Sequence, residues 1–256
     1  MPSPEPGNSP QTRQFGTLYG ISVGPGDPEL ISVKGLRVLQ AAPVVAFPAS
    51  TSPEKPGVAQ GIIAPWRQPH QKLLPLHFPY TQDAHQLNRA WAAAAEAVGF
   101  HLAQQQDVAF VSEGDVSFYS TFTYLTESLR RQMPQVTITA IPGVCSPLAA
   151  AAALQMPLTL GDQRLTVLPA LYSVSNLETA LDNNDVVVLM KVSSVYGQVW
   201  QILQQRQLLA SSYVVEWATH DRQRLYHGLS DRPQLALSYF SLMVITVAPS
   251  HYGTLP

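Results

Sequence analysis

The sequence predicts an α/β protein of two domains, the first built on a mostly parallel sheet and the second on a mixed sheet. Three times, a short apolar run ends in a turn-forming loop and gives way to apolar positions at helical spacing. Strands alternating with helices imply a parallel sheet covered on both faces, which gathers the strand-end loops on one edge, where ligands bind. Beyond Gly161 the last strands follow one another too closely for helical crossovers, so hairpins join them.

The first unit is a β-rich run over 17–23, the turn cluster Gly24-Pro25-Gly26-Asp27-Pro28, a helix over 31–39 with Ser32 as N-cap, and a buried strand at 44–47. Residues 48–80 carry seven prolines (48, 53, 56, 65, 69, 75 and 79), so a surface excursion with one short helix and one short strand is expected there. Over 82–105, Ala84, Leu87, Trp91, Ala94, Val98 and Leu102 recur every three or four residues, the spacing of an amphipathic helix. The second unit is a strand at 107–111, the loop Ser112-Glu113-Gly114-Asp115-Val116 and a helix over 117–131. The third is a strand at 136–140, the loop Ile141-Pro142-Gly143-Val144-Cys145-Ser146-Pro147 and a small-residue helix over 148–154. Further strands are expected near 164–169, 185–190, 212–217, 223–227 and 241–247, with helices near 174–182 and 194–206. Residues 1–15, with four prolines and no apolar core, read as a disordered tail.

Composition removes several functional classes. With 256 residues, 46% of them hydrophobic, the chain can bury a large core. A formal charge of -2 without any Lys/Arg run argues against nucleic acid as a partner. The single Cys145 excludes an intrachain disulfide and a multi-cysteine metal site, and points to a reducing compartment, the cytoplasm. The seven histidines have no zinc-site spacing, so no metal is expected. No apolar stretch approaches the roughly 18–20 residues of a membrane span, and no Gly-x-Ser-x-Gly elbow supports a serine hydrolase.

Three loops remain as candidates for chemistry. In the first, position 29 is Glu rather than the third glycine of a dinucleotide fingerprint, and Asp27 adds an acceptor that a phosphate cradle does not want. A neutral or cationic ligand suits it; the alternative is a plain turn in which Asp27 caps the next helix. In the second, Glu113 and Asp115 flank Gly114 at a strand end, where the backbone can approach a ribose or a sulfonium charge, or where two acids simply complement a helix dipole. The third leaves backbone N–H groups free at a helix start. Cys145 has no histidine near it in sequence and reads as a small hydrophobe rather than a nucleophile.

Taken together, Val23-Gly24-Pro25-Gly26-Asp27-Pro28, Glu113-Gly114-Asp115-Val116 and Pro142-Gly143-Val144-Cys145-Ser146 resemble the tetrapyrrole methylases, with their G-x-G-P-G-D-P, G-D-P and P-G-[VI]-[TS]-[SA] loops. Gly16-Thr17-Leu18-Tyr19-Gly20, Phe118-Tyr119-Ser120-Thr121-Phe122, Leu189-Met190-Lys191-Val192 and Tyr239-Phe240-Ser241-Leu242 are similar to the precorrin-2 C-20 branch of that family. The resemblance implies two α/β domains, at 16–124 and 125–256, with S-adenosylmethionine in the cleft between them. It implies cofactor contacts from Pro25, Glu113, Gly114, Asp115, Cys145, Ser146, Met190 and Ala218, and Asp27 as the base. It also implies methylation of precorrin-2 or cobalt-factor II at C-20 in cobalamin biosynthesis, and a homodimer. Val116 stands where the family has proline and Cys145 where it has threonine or serine, so the backbone N–H groups of Cys145 and Ser146 are expected to make the contact there. The substrate's carboxylates call for cations, and Lys34, Arg67, Arg89, Arg164, Lys191, Arg222 and Arg224 form the pool. Alternatives on the same residues are a methylase for another corrin position or another acceptor, and a non-enzymatic tetrapyrrole-binding protein.

Overall fold

The computed structural model describes residues 14–49, 56–79, 81–169 and 176–247. The first sheet collects β1 (Thr17–Ser22), β2 (Val44–Pro48), β3 (Lys72–Leu76), β4 (Val108–Ser112) and β5 (Thr137–Ile141) in the order β3-β2-β4-β1-β5, every neighbouring pair parallel. Helices α1 (Val33–Ala41), α2 (Val58–Ile63), α3 (Ala84–Ala103) and α4 (Phe122–Gln132) cross over between them. Alternate strand residues face opposite ways. Leu18, Val108 and Phe110 pack with Val98 and Leu102 of α3 and Leu125 and Leu129 of α4, while Ile21, Val45 and Val111 pack with Leu39 of α1 and Ile62 and Ile63 of α2. Each such fully buried aliphatic or aromatic side chain contributes roughly 1.5–3 kcal/mol by leaving water. Pro75 is tolerated in β3 because that strand lies at the sheet edge.

The second sheet collects β6 (Leu165–Pro169), β7 (Val186–Met190), β8 (Ser212–Glu216), β9 (Arg224–His227) and β10 (Ser241–Thr246) in the order β6-β7-β10-β8-β9. Only β6 and β7 pair parallel; β10 runs antiparallel to β7 and β8, and β8 to β9. Helices α6 (Leu177–Asn183) and α7 (Tyr196–Gln205) cover one face, and α5 (Ser146–Ala153) covers the other through Ala149 and Ala150.

Three expectations change. The boundary at 124/125 falls inside α4, and β5 beyond it pairs with β1, so the chain leaves the first sheet only after Ile141. Because α5 already packs on the second sheet, residues 142–145 are the crossing point. The helix expected over 117–131 starts at Phe122, since Tyr119 is left-handed at φ 51° and Ser120 Oγ accepts the Phe122 N–H at 3.1 Å. Of the expected tail, residues 1–13 lie outside the described residues, whereas Phe15 packs against the first core.

Candidate active site

In the first sheet the chain leaves β1 toward β2 on one side and reaches β5 on the other, so the loops after β1 and β4 face each other at the carboxyl ends. They are joined there by paired backbone bonds. Gly114 N–H donates to Gly24 O at 2.8 Å and Gly24 N–H to Gly114 O at 3.3 Å. Both glycines have positive φ, +78° and +69°, which a side chain adopts only at a cost. A Cβ on Gly24 meets Leu30 Cβ at 2.8 Å, whereas one on Gly114 meets nothing within 4 Å. The Gly114 backbone therefore borders open space.

Asp115 ties this edge together. Its Oδ2 accepts the Gly143 N–H at 2.7 Å and Ser22 Oγ at 3.3 Å, and its Oδ1 accepts the Ser117 N–H at 2.8 Å and the Ser117 hydroxyl. Burial by itself raises this carboxyl, but the donors from Ser117, Gly143 and Ser22 outweigh it and hold the pKa below the ordinary value. Ser22 Oγ in turn donates to Ile141 O and accepts the Val116 N–H. A Cβ on Gly143 approaches Ser22 Cβ to 2.5 Å, so only glycine lets the third loop lie this close.

Between the two sheets opens a cavity of roughly 760 Å³, part of it open to solvent. Pro25, Glu113, Gly114, Asp115, Cys145, Ser146, Met190 and Ala218 all line it, drawn from five separate segments at strand ends. Glu113 is solvent-accessible at the mouth, yet the protein around its carboxyl displaces enough water to push its pKa up to about 7, with Lys191 partly opposing. Cys145 is the N-cap of α5 and makes no side-chain cap bond, which leaves the first N–H groups of that helix free of a side-chain acceptor. Among the described residues no group of three His, Cys, Asp or Glu is placed to hold a metal, and no helix is long and apolar enough to cross a membrane.

Asp27 is not part of this lining. Its Oδ1 accepts the Glu29 N–H at 2.8 Å, capping a short 3-10 turn, and its own N–H donates to Thr219 Oγ1 at 3.2 Å. It borders a separate recess with Gly26, Thr219 and His220, where the two halves meet. The halves are also joined by Tyr119, whose hydroxyl donates to Val167 O at 3.1 Å.

The resemblance drew in Phe118, Tyr119, Tyr239 and Phe240 without giving them a role; with Trp217 they form the aromatic side of the cavity. The available signal was aromatic residues crowded at strand ends, where a core has no use for them. Glu216 positions part of that wall. It is buried, accepting the Ser238 N–H at 2.7 Å and the Tyr226 hydroxyl at 3.1 Å just before Trp217.

Comparison with known proteins agrees with this architecture. Residues 17–233 match the family "Tetrapyrrole (Corrin/Porphyrin) Methylases". The cobalamin biosynthesis protein CobIJ of Mycobacterium tuberculosis is 36% identical over 238 residues, 90% of this chain and 46% of that protein. The chain thus spans about half the length of that relative. The precorrin-2 C(20)-methyltransferase of a Sinorhizobium species is 30% identical over 238 residues, covering 90% of this chain and 95% of that one. The solved uroporphyrin-III C-methyltransferase of Thermus thermophilus, complexed with S-adenosylhomocysteine, shares the fold at a TM-score of 0.66 and 19% identity, over 90% and 97% of the two chains. With three diagnostic loops meeting at one cavity and the family match reaching from β1 to β9, the chain belongs to the tetrapyrrole (corrin/porphyrin) methylases.

Proposed function

We propose that the chain transfers a methyl group from S-adenosylmethionine to C-20 of precorrin-2, or of cobalt-factor II, as a step of cobalamin biosynthesis. The observation that carries this reading is the meeting of these eight residues from five strand-end segments around one cavity. The Sinorhizobium relative, matched over nearly its whole length, supports the choice of carbon.

The lining fits the cofactor chemically. Gly114 leaves room where a Cβ would stand, and Glu113 offers a carboxylate to the cofactor's cationic end. Met190, Trp217 and Phe240 supply an apolar wall for the adenine, and the start of α5 supplies N–H groups for polar edges. Bound there, S-adenosylmethionine supplies an electrophilic methyl group to an electron-rich carbon. The protein's part is alignment, which accounts for several kcal/mol of a bimolecular barrier. Asp115 fixes the loops, Glu113 balances positive charge, and the aromatic wall limits water. In this reading the C-20 proton departs afterwards to solvent at the open mouth; Asp27, expected as the base, lines a separate recess and not this cavity. The homodimer implied by the resemblance belongs to the same proposal and is read by sedimentation velocity.

The test is turnover with labelled S-adenosylmethionine, offering precorrin-2 and cobalt-factor II side by side. Transfer to either supports the reading, and the relative rates choose between them. Cofactor binding without transfer to either moves the proposal to another acceptor on the same fold, and no cofactor binding favours a non-enzymatic tetrapyrrole-binding protein.

A further inference from the structure

Gly26, in the loop after β1, and the corner 217–220, after β8, meet backbone to backbone. A Cβ on Gly26 would stand 2.7 Å from His220 N, 2.8 Å from Ala218 O and 2.9 Å from His220 Cβ. None of these atoms can swing aside, so the two halves touch here with no side chain between them. One residue further along each segment, the Asp27 N–H donates to Thr219 Oγ1 at 3.2 Å. Pro25, which precedes Gly26, and Ala218, which precedes Thr219, both line the main cavity.

The corner is held in a costly shape. Trp217 and Thr219 are left-handed, at φ 50° and 65°. Gln105, Gln155 and Gln207 share that conformation, but each follows the C-terminus of a helix, where it reverses the chain. No helix ends at Trp217 or Thr219, and such backbone persists only where its surroundings over-determine it. Here they do. Trp217 N–H donates to Phe240 O at 2.8 Å, His220 N–H to Trp217 O at 2.9 Å, Thr219 N–H to Gln223 Oε1 at 2.7 Å and Gln223 N–H to His220 O at 2.9 Å. Those bonds all stay within the second half. Among the described residues, the one hydrogen bond from this corner to the first half is the bond at Thr219 Oγ1.

Ala218 lies between the two left-handed residues and is 6% exposed, yet among the described residues nothing bonds its N–H or its C=O. Buried main-chain groups are rarely left so. At a cavity wall a ligand completes them, and the narrow geometry of a hydrogen bond makes that depend on where the corner is held.

We propose that Thr219 is a positioning residue for the cofactor: by accepting the Asp27 N–H it holds the corner against Gly26, so that Ala218 and Pro25 stand at the separation bound S-adenosylmethionine requires. The inference rests on the cofactor reading above. It gives work to a side chain that lines the separate recess beside Asp27 and not the cofactor cavity. It also gives Asp27 a use through its main chain rather than its carboxylate.

The experiment is calorimetry of the full chain with S-adenosylhomocysteine. Thr219→Val keeps the branched shape and removes the acceptor, and should weaken binding about tenfold, the loss expected from one hydrogen bond. Thr219→Ser keeps the hydroxyl and should bind within about twofold of wild type. Gly26→Ala drives a methyl group into the contact and should lose more than Thr219→Val. Partial unfolding lowers the number of sites filled, whereas a misplaced wall lowers the affinity of every site, and calorimetry reads the two separately. Wild-type affinity in Thr219→Val or Gly26→Ala overturns the inference, as does a loss that Thr219→Ser shares, or a reduced site number at wild-type affinity. A wild type that does not bind S-adenosylhomocysteine overturns the cofactor reading itself, and the inference with it.

Discussion

Asp115 Oδ2 accepts the Gly143 N–H at 2.7 Å, joining the loop after β4 to the segment through which the chain leaves the first sheet. One carboxylate thus holds two of the three motif loops in register, and Ser22 extends the bond to β1. Its contribution to a cofactor is to build the site.

Removing that carboxylate orphans several donors at once. Asp115→Ala should destabilise the protein by about 2–4 kcal/mol, read by urea unfolding, because each unsatisfied buried group costs roughly 1–3 kcal/mol. S-adenosylhomocysteine binding should be lost with it. The folded pKa is depressed, so this stabilisation is present above about pH 4, the unfolded value, and fades as pH falls through the folded one. A variant of wild-type stability and affinity contradicts the account.

Glu113 behaves in the opposite sense. Its folded pKa is raised to about 7, so its contribution to stability is present below the unfolded value near 4.5 and is lost as pH rises through 7. Glu113→Gln should therefore stabilise the protein at pH 8 and not at pH 4. A cationic cofactor favours the carboxylate, so S-adenosylmethionine affinity should rise from pH 6 to 8 with proton release. Calorimetry in buffers of different ionisation enthalpy reads that release, and Glu113→Gln should abolish it.

Gly114→Ala separates cavity space from fold. The left-handed backbone costs a side chain about 1–2 kcal/mol, while the new methyl group meets open space rather than protein. The prediction is a modest fall in unfolding free energy and a loss of more than about tenfold in S-adenosylhomocysteine affinity. Unchanged affinity places the cofactor elsewhere.

Asp27→Asn preserves an acceptor for the Glu29 N–H and removes a base. Methyl-transfer turnover should remain within about threefold of wild type, since Asp27 lies outside the cavity. A fall of 100-fold or more, of the size general base catalysis contributes, restores Asp27 to the chemistry.

Cys145→Ser supplies the missing N-cap of α5. A serine hydroxyl at this position accepts a backbone N–H that the thiol does not, and such caps contribute about 0.5–2 kcal/mol. Thermal unfolding should move upward, and an unchanged midpoint contradicts the assignment of a missing cap.

Sequence patterning made most of the architecture legible because strand and helix periods are local. The helix over α3 was visible as an apolar stripe, and the antiparallel β8–β9 pair as strands too close for a crossover. The domain boundary was not legible. It depends on which sheet β5 joins, a long-range pairing with β1 that residues 137–141 do not encode by themselves. The start of α4 was misread because a left-handed Tyr119 has no sequence signature comparable to glycine. At the site, six of the eight cofactor candidates were legible through three loops taken together, and Met190 and Ala218 only through the wider resemblance. Asp27 and Asp115 read alike in sequence, and only the coordinates separate a turn cap from a cross-loop anchor. Lys191 and Arg222 were indistinguishable from surface charges until the aromatic rings beneath them were placed.

The central claim is tested most directly by locating the transferred methyl group. The protein is incubated with precorrin-2 and S-adenosylmethionine carrying a carbon-13 methyl group, and the product is examined by carbon-13 NMR. The account predicts one enriched methyl resonance on C-20. Enrichment at any other ring position, with the cofactor consumed, contradicts it.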